Sequence, residues 1–218
     1  LATDVDGDGD MDIVAIGTRG QTSEGGPTCE GDCLDPELNE GPVAWYENDG
    51  NQNFIHHKLE VTAAEDILDV ATADLDGDGD MDVISSGGHN ASSGSLITWH
   101  EIHTSRNWLP AAIRNAGAGA VDVDSTSGPR LAQLKAAFIS HTITTDLVGP
   151  NVKVYAQDMD GDGDMDVLSA SENDDKVAWH ENDGDENFTA HTITTDAELA
   201  NSVYSADVDG DGDMDVLS

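Results

Sequence analysis

Short runs of β-branched and apolar residues alternate with clusters of Asp, Asn and Gly along this chain. The clearest stretch lies between residues 152 and 194. Val152–Gln157 reads as a strand, an acidic turn follows, and Val167–Ser171 reads as a second strand. Asn173-Asp174-Asp175 is a turn, Lys176–Glu181 a third strand, Asn182–Asn187 another turn, and Phe188–Thr194 a fourth strand. Four short antiparallel strands joined by tight turns make the meander blade of a β-propeller. A solenoid competes, but a unit with three internal turns fits a blade better.

The same pattern recurs. Acidic nonapeptides begin at residues 4, 74, 158 and 207, and between them the landmarks keep their order: Trp45, Trp99 and Trp179; Phe54, Phe138 and Phe188; His57, His141 and His191. Val70, Val154 and Val203 each precede a nonapeptide by the same distance. The basic period is the interval of about 49 residues between the last two nonapeptides, and the longer intervals contain insertions at 18–40 and 103–136. The predicted fold is therefore all-β: four-stranded antiparallel blades in units 1–69, 70–153 and 154–202, then a partial unit 203–218, as part of a larger propeller. A short helix is expected at Arg130–Ala137 inside the second insertion.

Composition narrows the function. The 218 residues hold 45 acids against 8 Lys and Arg, a formal charge of −37. A surface this acidic lacks the basic footprint that neutralises nucleic-acid phosphates. It also argues against docking on anionic lipid, and no apolar run approaches a membrane-spanning length. A hydrophobic share of 37% with recurring aromatics argues against disorder.

Much of the charge sits in the nonapeptides, DVDGDGDMD, DLDGDGDMD, DMDGDGDMD and DVDGDGDMD, which together hold 20 of the 45 acids. Carboxylates packed so closely raise one another's pKa and oppose folding unless a cation offsets them. Positions 1, 3 and 5 (Asp4, Asp6, Asp8) can curl around one centre, with Gly7 and Gly9 supplying the positive φ of the turn. Position 7 (Asp10) offers its backbone carbonyl and position 9 (Asp12) a closing carboxylate. The corresponding sets are Asp74, Asp76, Asp78, Asp80 and Asp82; Asp158, Asp160, Asp162, Asp164 and Asp166; and Asp207, Asp209, Asp211, Asp213 and Asp215. An all-oxygen shell of this kind suits Ca²⁺, one ion per loop and up to four in all. No His or Cys is present in the loops to favour zinc or copper. The EF-hand is rejected. Its twelfth position needs Glu, whereas Ala15, Ser85, Ser169 and Ser218 stand there, with β-type residues before them and no helical period ahead of the loop.

The D-x-D-G-D-G-x-x-D loop between two β runs resembles the FG-GAP/VCBS-type repeats found in integrin α-subunit propellers and in many secreted proteins. The resemblance covers nearly all of the chain outside the two insertions. It implies a loop that joins the first two strands of a blade and binds Ca²⁺ through positions 1, 3, 5, 7 and 9. FG and GAP signatures are weak here, since VLSAS stands where a VVGAP-like segment belongs, which favours the VCBS-like branch. The three complete intervals and a truncated one imply a fragment of a longer chain.

Other features are read more plainly. Cys29 and Cys33, the only cysteines, lie in CEGDC and read as a short disulfide-closed loop in an oxidising compartment; a metal site would need two more soft ligands. The second insertion carries half the basic residues and is either a contact loop or an ornament on a blade edge. Histidines that recur with the blade read as packing rather than catalysis, and the Trp and Phe ladders as inter-blade core. Met11, Met81, Met165 and Met214, at position 8, are expected to pack behind the turn. Asn90 and Asn187 head sequons that would accept glycans in a eukaryotic source. The expected function is a non-enzymatic, extracellular calcium-binding propeller that contacts proteins or glycans at a cell surface or within an assembly. The alternatives are a lectin, or the non-catalytic propeller of a polysaccharide-active enzyme.

Overall fold

The structure is a computed structural model that describes residues 1–16, 43–59, 67–90, 93–103, 137–149 and 151–218. Cys29 and Cys33 lie outside the described residues. So does the predicted helix up to residue 136, while Ala137 opens a strand.

Every described element is a strand. β1 (Ala2–Thr3), β2 (Asp12–Ile16), β3 (Val43–Asn48) and β4 (Phe54–Leu59) form one sheet in sequence order. The second contains β5 (Ile67–Ala73), β6 (Asp82–Asn90), β7 (Ser93–His103) and β8 (Ala137–Leu147), and the third β9 (Val152–Gln157), β10 (Asp166–Ser171), β11 (Lys176–Asn182) and β12 (Phe188–Thr194). A two-stranded sheet, β13 (Tyr204–Ala206) and β14 (Asp215–Leu217), follows. All pairings are antiparallel, so the blades are meanders in a propeller-like arrangement. The expected all-β blade architecture is what the chain adopts, and β9 to β12 match the four strands read from the sequence within a residue.

Register preserves the repeat. Trp45 stands opposite His57, Trp99 opposite His141, and Trp179 opposite His191. On the other flank the same tryptophans face Val14, Ile84 and Leu168. Each indole stacks on its histidine at centroid distances of 4.3, 4.5 and 4.8 Å. Each histidine Nε2 in turn bonds a glutamate from the Trp strand: Glu47 at 2.6 Å, Glu101 at 3.1 Å and Glu181 at 2.6 Å.

The core lies between blades rather than within them. Val5, Val14, Val43 and Trp45 of the first blade pack on Ile67, Val83 and Ile102 of the second. Trp99, Ile84 and Ile97 meet Val152, Val154 and Val167 of the third, with Phe188 set edgewise on Trp99. Leu168, Ala170 and Val177 meet Val203. The second strands of the second and third blades are therefore covered on both faces, and all six residues of β10 are buried, which explains the small and β-branched residues in DVLSAS. The outer β12 is exposed along most of its length.

Two expectations need correction. Met11 is exposed at 56% rather than packed behind its turn. Position 8 packs toward the preceding blade, as Met165 does beside Leu75, and no described blade covers that side of Met11. Phe54 is likewise 51% exposed, because its equivalent Phe188 uses the preceding blade's Trp99 as its platform.

Candidate metal centre

Each acidic nonapeptide connects the first and second strands of a sheet, and its last Asp is the first residue of the second strand. Gly at positions 4 and 6 takes φ of +70° and +98° in the first loop, and the same pair of conformations recurs in the other three. A Cβ at either glycine would meet nothing within 4 Å, so backbone conformation and not crowding demands glycine. The amide of position 6 donates to the position 1 carboxylate in every loop: Gly9 to Asp4 at 3.0 Å, Gly79 to Asp74 at 3.1 Å, Gly163 to Asp158 at 3.2 Å and Gly212 to Asp207 at 3.1 Å.

These bonds gather oxygen atoms. Carboxylate oxygens of Asp4, Asp6 and Asp8 lie within 4.8 Å of one another, as do those of Asp74, Asp76 and Asp78. In the third and fourth loops the converging sets are Asp158, Asp160 and Asp166, and Asp207, Asp209 and Asp215. Positions 1 and 3 thus converge in all four, joined by position 5 or position 9. Position 7 stands apart. In the first and third blades its side chain leans on a glycine of the outer hairpin: a Cβ on Gly50 or on Gly184 would come within 2.4 Å of Oδ2 of Asp10 or of Asp164.

Position 9 has a second occupation that sequence reasoning missed. Asp12, Asp82 and Asp166 are buried to 1% exposure or less. Oδ2 accepts the position 2 amide (Val5 at 3.0 Å, Leu75 at 3.0 Å, Met159 at 2.9 Å). Oδ1 accepts an amide from the third strand (Asn48 at 2.8 Å, Ile102 at 3.0 Å, Asn182 at 2.8 Å). Trp45 Nε1 adds a bond to Asp12 Oδ2 at 3.1 Å. The residue pegs the start of the loop to the second and third strands as well as facing the loop.

Electrostatics separates these loops from other acidic turns. Burial, reinforced by neighbouring carboxylates, pushes Asp6 and Asp76 up to about 6. Burial pushes Asp82 up to about 8 and raises Asp166. Asp49 and Asp183, in the β3–β4 and β11–β12 turns, move the other way. The Asn53 side-chain amide holds Asp49 below the usual carboxylate range, and the Asp185 backbone amide does so for Asp183. Those turns satisfy their own charge, whereas Asp6, Asp76, Asp82 and Asp166 of the first three nonapeptides are left with unfavourable burial. In the second loop, Asp74 Oδ1 is buried without a hydrogen-bond partner. Converging anionic oxygens, raised pKa values and a buried orphan acceptor fit a hard divalent cation.

The FG-GAP-like repeat model matches residues 4–85 and 158–218. The chain belongs to the FG-GAP-like repeat family. The match takes in all four nonapeptides and leaves out the long second insertion. No curated protein matches this FG-GAP-like chain by sequence. A solved lectin of Agrocybe aegerita, described for specific recognition of non-reducing terminal N-acetylglucosamine, shares its fold with a TM-score of 0.51 at 19% identity. The likeness covers 99% of this chain and 45% of the lectin, so the chain spans less than half of that relative's length.

The remaining predicted residues fall as follows. His100 and His180 are buried and bond Ser85 and Ser169 at 2.9 and 3.0 Å; burial pulls both down to about 4. Asn187 is exposed at the end of its turn, its amide donating to Asp183 at 3.1 Å and to the Asp185 carbonyl at 3.2 Å. Asn90 ends β6, and the rest of its sequon lies outside the described residues. Among the described residues no helix is long and apolar enough to cross a membrane.

Proposed function

We propose that this chain is a calcium-stabilised β-propeller module that works by binding, outside the cell, and not by catalysis. The observation that carries the reading is the convergence of the position 1 and position 3 carboxylates, with position 5 or 9, in all four loops. Positions 1, 3, 5 and 9 would hold the ion with side-chain oxygens and position 7 with its carbonyl. A bound cation would offset carboxylate repulsion where the first two strands of a blade meet. Part of the folding free energy would then be metal-binding free energy. Extracellular calcium modules bind at about 10⁻⁴–10⁻³ M, which suits a compartment rich in calcium. The recurring histidines support a non-catalytic role, since they are engaged by tryptophan, glutamate or serine in blade after blade.

At ten times Kd each occupied site adds about 1.4 kcal/mol. Four sites would add roughly 5–6 kcal/mol, and at about 2–4 °C per kcal/mol for a chain of this size calcium should raise the Tm by about 10–20 °C. Calorimetric melts in EDTA, in Ca²⁺ and in Mg²⁺ test this. Identical melts in EDTA and Ca²⁺ would refute the metal reading.

A glycan is the second reading for the partner, favoured by the fold shared with a lectin. Trp45 and Trp99, at 1% and 0% exposure, are unavailable as sugar platforms; among the described residues, Phe54 and Tyr204 are exposed aromatic surfaces. A glycan array probed in calcium, on which a saccharide signal is lost with Phe54→Ala or Tyr204→Ala, would support a lectin. No saccharide signal would favour a protein partner.

A further inference from the structure

The outer hairpins of the first and third blades begin with the same three residues, Asn48-Asp49-Gly50 and Asn182-Asp183-Gly184. Each asparagine reaches back to the acidic loop of its own blade. Asn48 Nδ2 donates to the carbonyl of Met11 at 3.2 Å, and Asn182 Nδ2 donates to that of Met165 at 3.2 Å. Oδ1 of each accepts the hairpin glycine amide, at 3.2 and 3.3 Å. The backbone amide of each bonds the position 9 aspartate. One residue therefore fixes the glycine against which position 7 leans, the carbonyl of position 8 and the carboxylate of position 9.

The second blade lacks this device. Ile102 stands at the register position of the asparagine, and the chain continues His103-Thr104-Ser105. Ile102 keeps the backbone bond to Asp82, at 3.0 Å, but has no side-chain donor. The second loop is instead held by its neighbours. Met81 donates its amide to the Val5 carbonyl of the first loop at 3.0 Å. Asn182 Nδ2, from the third blade, donates to the Leu75 carbonyl at 2.9 Å, and that contact is buried. Among the described residues, Asn48 Nδ2 has no equivalent second acceptor.

We propose that Asn48 and Asn182 are positioning residues for the calcium loops, and that Asn182 serves two loops at once, its own and that of the preceding blade. The inference rests on the calcium reading above. It makes the second site dependent on a residue more than a hundred positions away in sequence, so the two sites respond to one side chain.

Asn48→Ile and Asn182→Ile import the side chain that the second blade already tolerates at this register position. Calcium binding to chelator-stripped protein, followed by isothermal titration calorimetry, should show one ion's worth of sites weakened about fivefold by N48I, the size expected for the loss of one hydrogen bond. N182I should weaken two ions' worth. Near-ultraviolet circular dichroism at saturating calcium verifies the fold of each variant. If N182I fails that check, Asn182→Asp keeps the acceptor for Gly184 and replaces the donor with an oxygen that repels the Leu75 and Met165 carbonyls, so it should again weaken two sites. An N182I or N182D isotherm that matches wild type, or that shifts only one ion's worth as N48I does, overturns the proposal. Failure of the calcium reading itself would appear in the wild-type titration alone, as an absence of binding heat and stoichiometry.

Discussion

If Asp12 is a structural peg as well as a metal-facing group, its removal must cost stability when no metal is present. Asp12→Ala abandons three donors: the amides of Val5 and Asn48 and the indole of Trp45, at 3.0, 2.8 and 3.1 Å. The bonds from Val5 and Trp45 are buried, and that from Asn48 is partly so. A buried donor left without an acceptor costs about 1–3 kcal/mol, and water can recover part of the Asn48 bond. The expected loss is therefore about 3–5 kcal/mol, against a total of about 5–15 kcal/mol for an ordinary domain. Asp12→Asn keeps one oxygen and turns the other into a donor that opposes an existing donor. It should cost about 1–2 kcal/mol, the price of a single bond plus that mismatch.

Urea unfolding followed by tryptophan fluorescence reads both variants, in EDTA and in millimolar calcium. The peg predicts wild type above D12N above D12A in both buffers, with the spacing retained in EDTA. A residue that acted only through the ion would give three coincident EDTA curves that separate on adding calcium. That second pattern would refute the assignment of position 9 as the residue joining the loop to the second and third strands.

Other outcomes follow from the same geometry. In calcium-free buffer, stability should fall as pH rises from 6.5 to 8. Asp82, raised to about 8, binds its proton more tightly folded than unfolded, so the folded state holds more protons in that window. His100 and His180, lowered to about 4, act in the opposite sense only below 6.5, where the unfolded state takes up protons first. Thermal melts at half-unit pH steps should show the decline in EDTA and its attenuation by calcium. Trp99→Ala, which empties the contact between second and third blades, should cost about 3–5 kcal/mol in a urea titration, since its side chain is fully buried. Gly184→Ala forces a side chain into φ of +76°, which costs about 1–2 kcal/mol, and should lower the urea midpoint in EDTA as well as in calcium.

How far the fold was legible depends on what each residue must do locally. The Gly pair of the nonapeptide needs positive φ, and that need is local, so four matching turns could be anticipated from four matching strings. Trp–His register was legible because the order of the landmarks survives in every complete blade, even where the second insertion separates Trp99 from His141. Exposure was not. Val5, Leu75 and Val208 occupy the same position 2, yet they are 0%, 3% and 65% exposed, because only the first two are covered by a following four-stranded sheet. Position 9 shows the same limit in a polar group. Five aspartates in one string look equivalent as ligands, but the fold gives the last of them two backbone donors, one from the start of its own loop and one from the third strand. Its neighbour at position 7 meets a hairpin glycine from elsewhere in the chain. What the string conceals is carried by Asn48 and Asn182, since an Asn-Asp-Gly triplet also has a sufficient explanation as a turn. Only the recurrence of that triplet at the same offset in two blades, and its replacement by Ile102 in the one between, marks the asparagine as belonging to the acidic loop. The divergent blade is thus more informative than the matching ones, because it separates what the hairpin needs from what the loop needs.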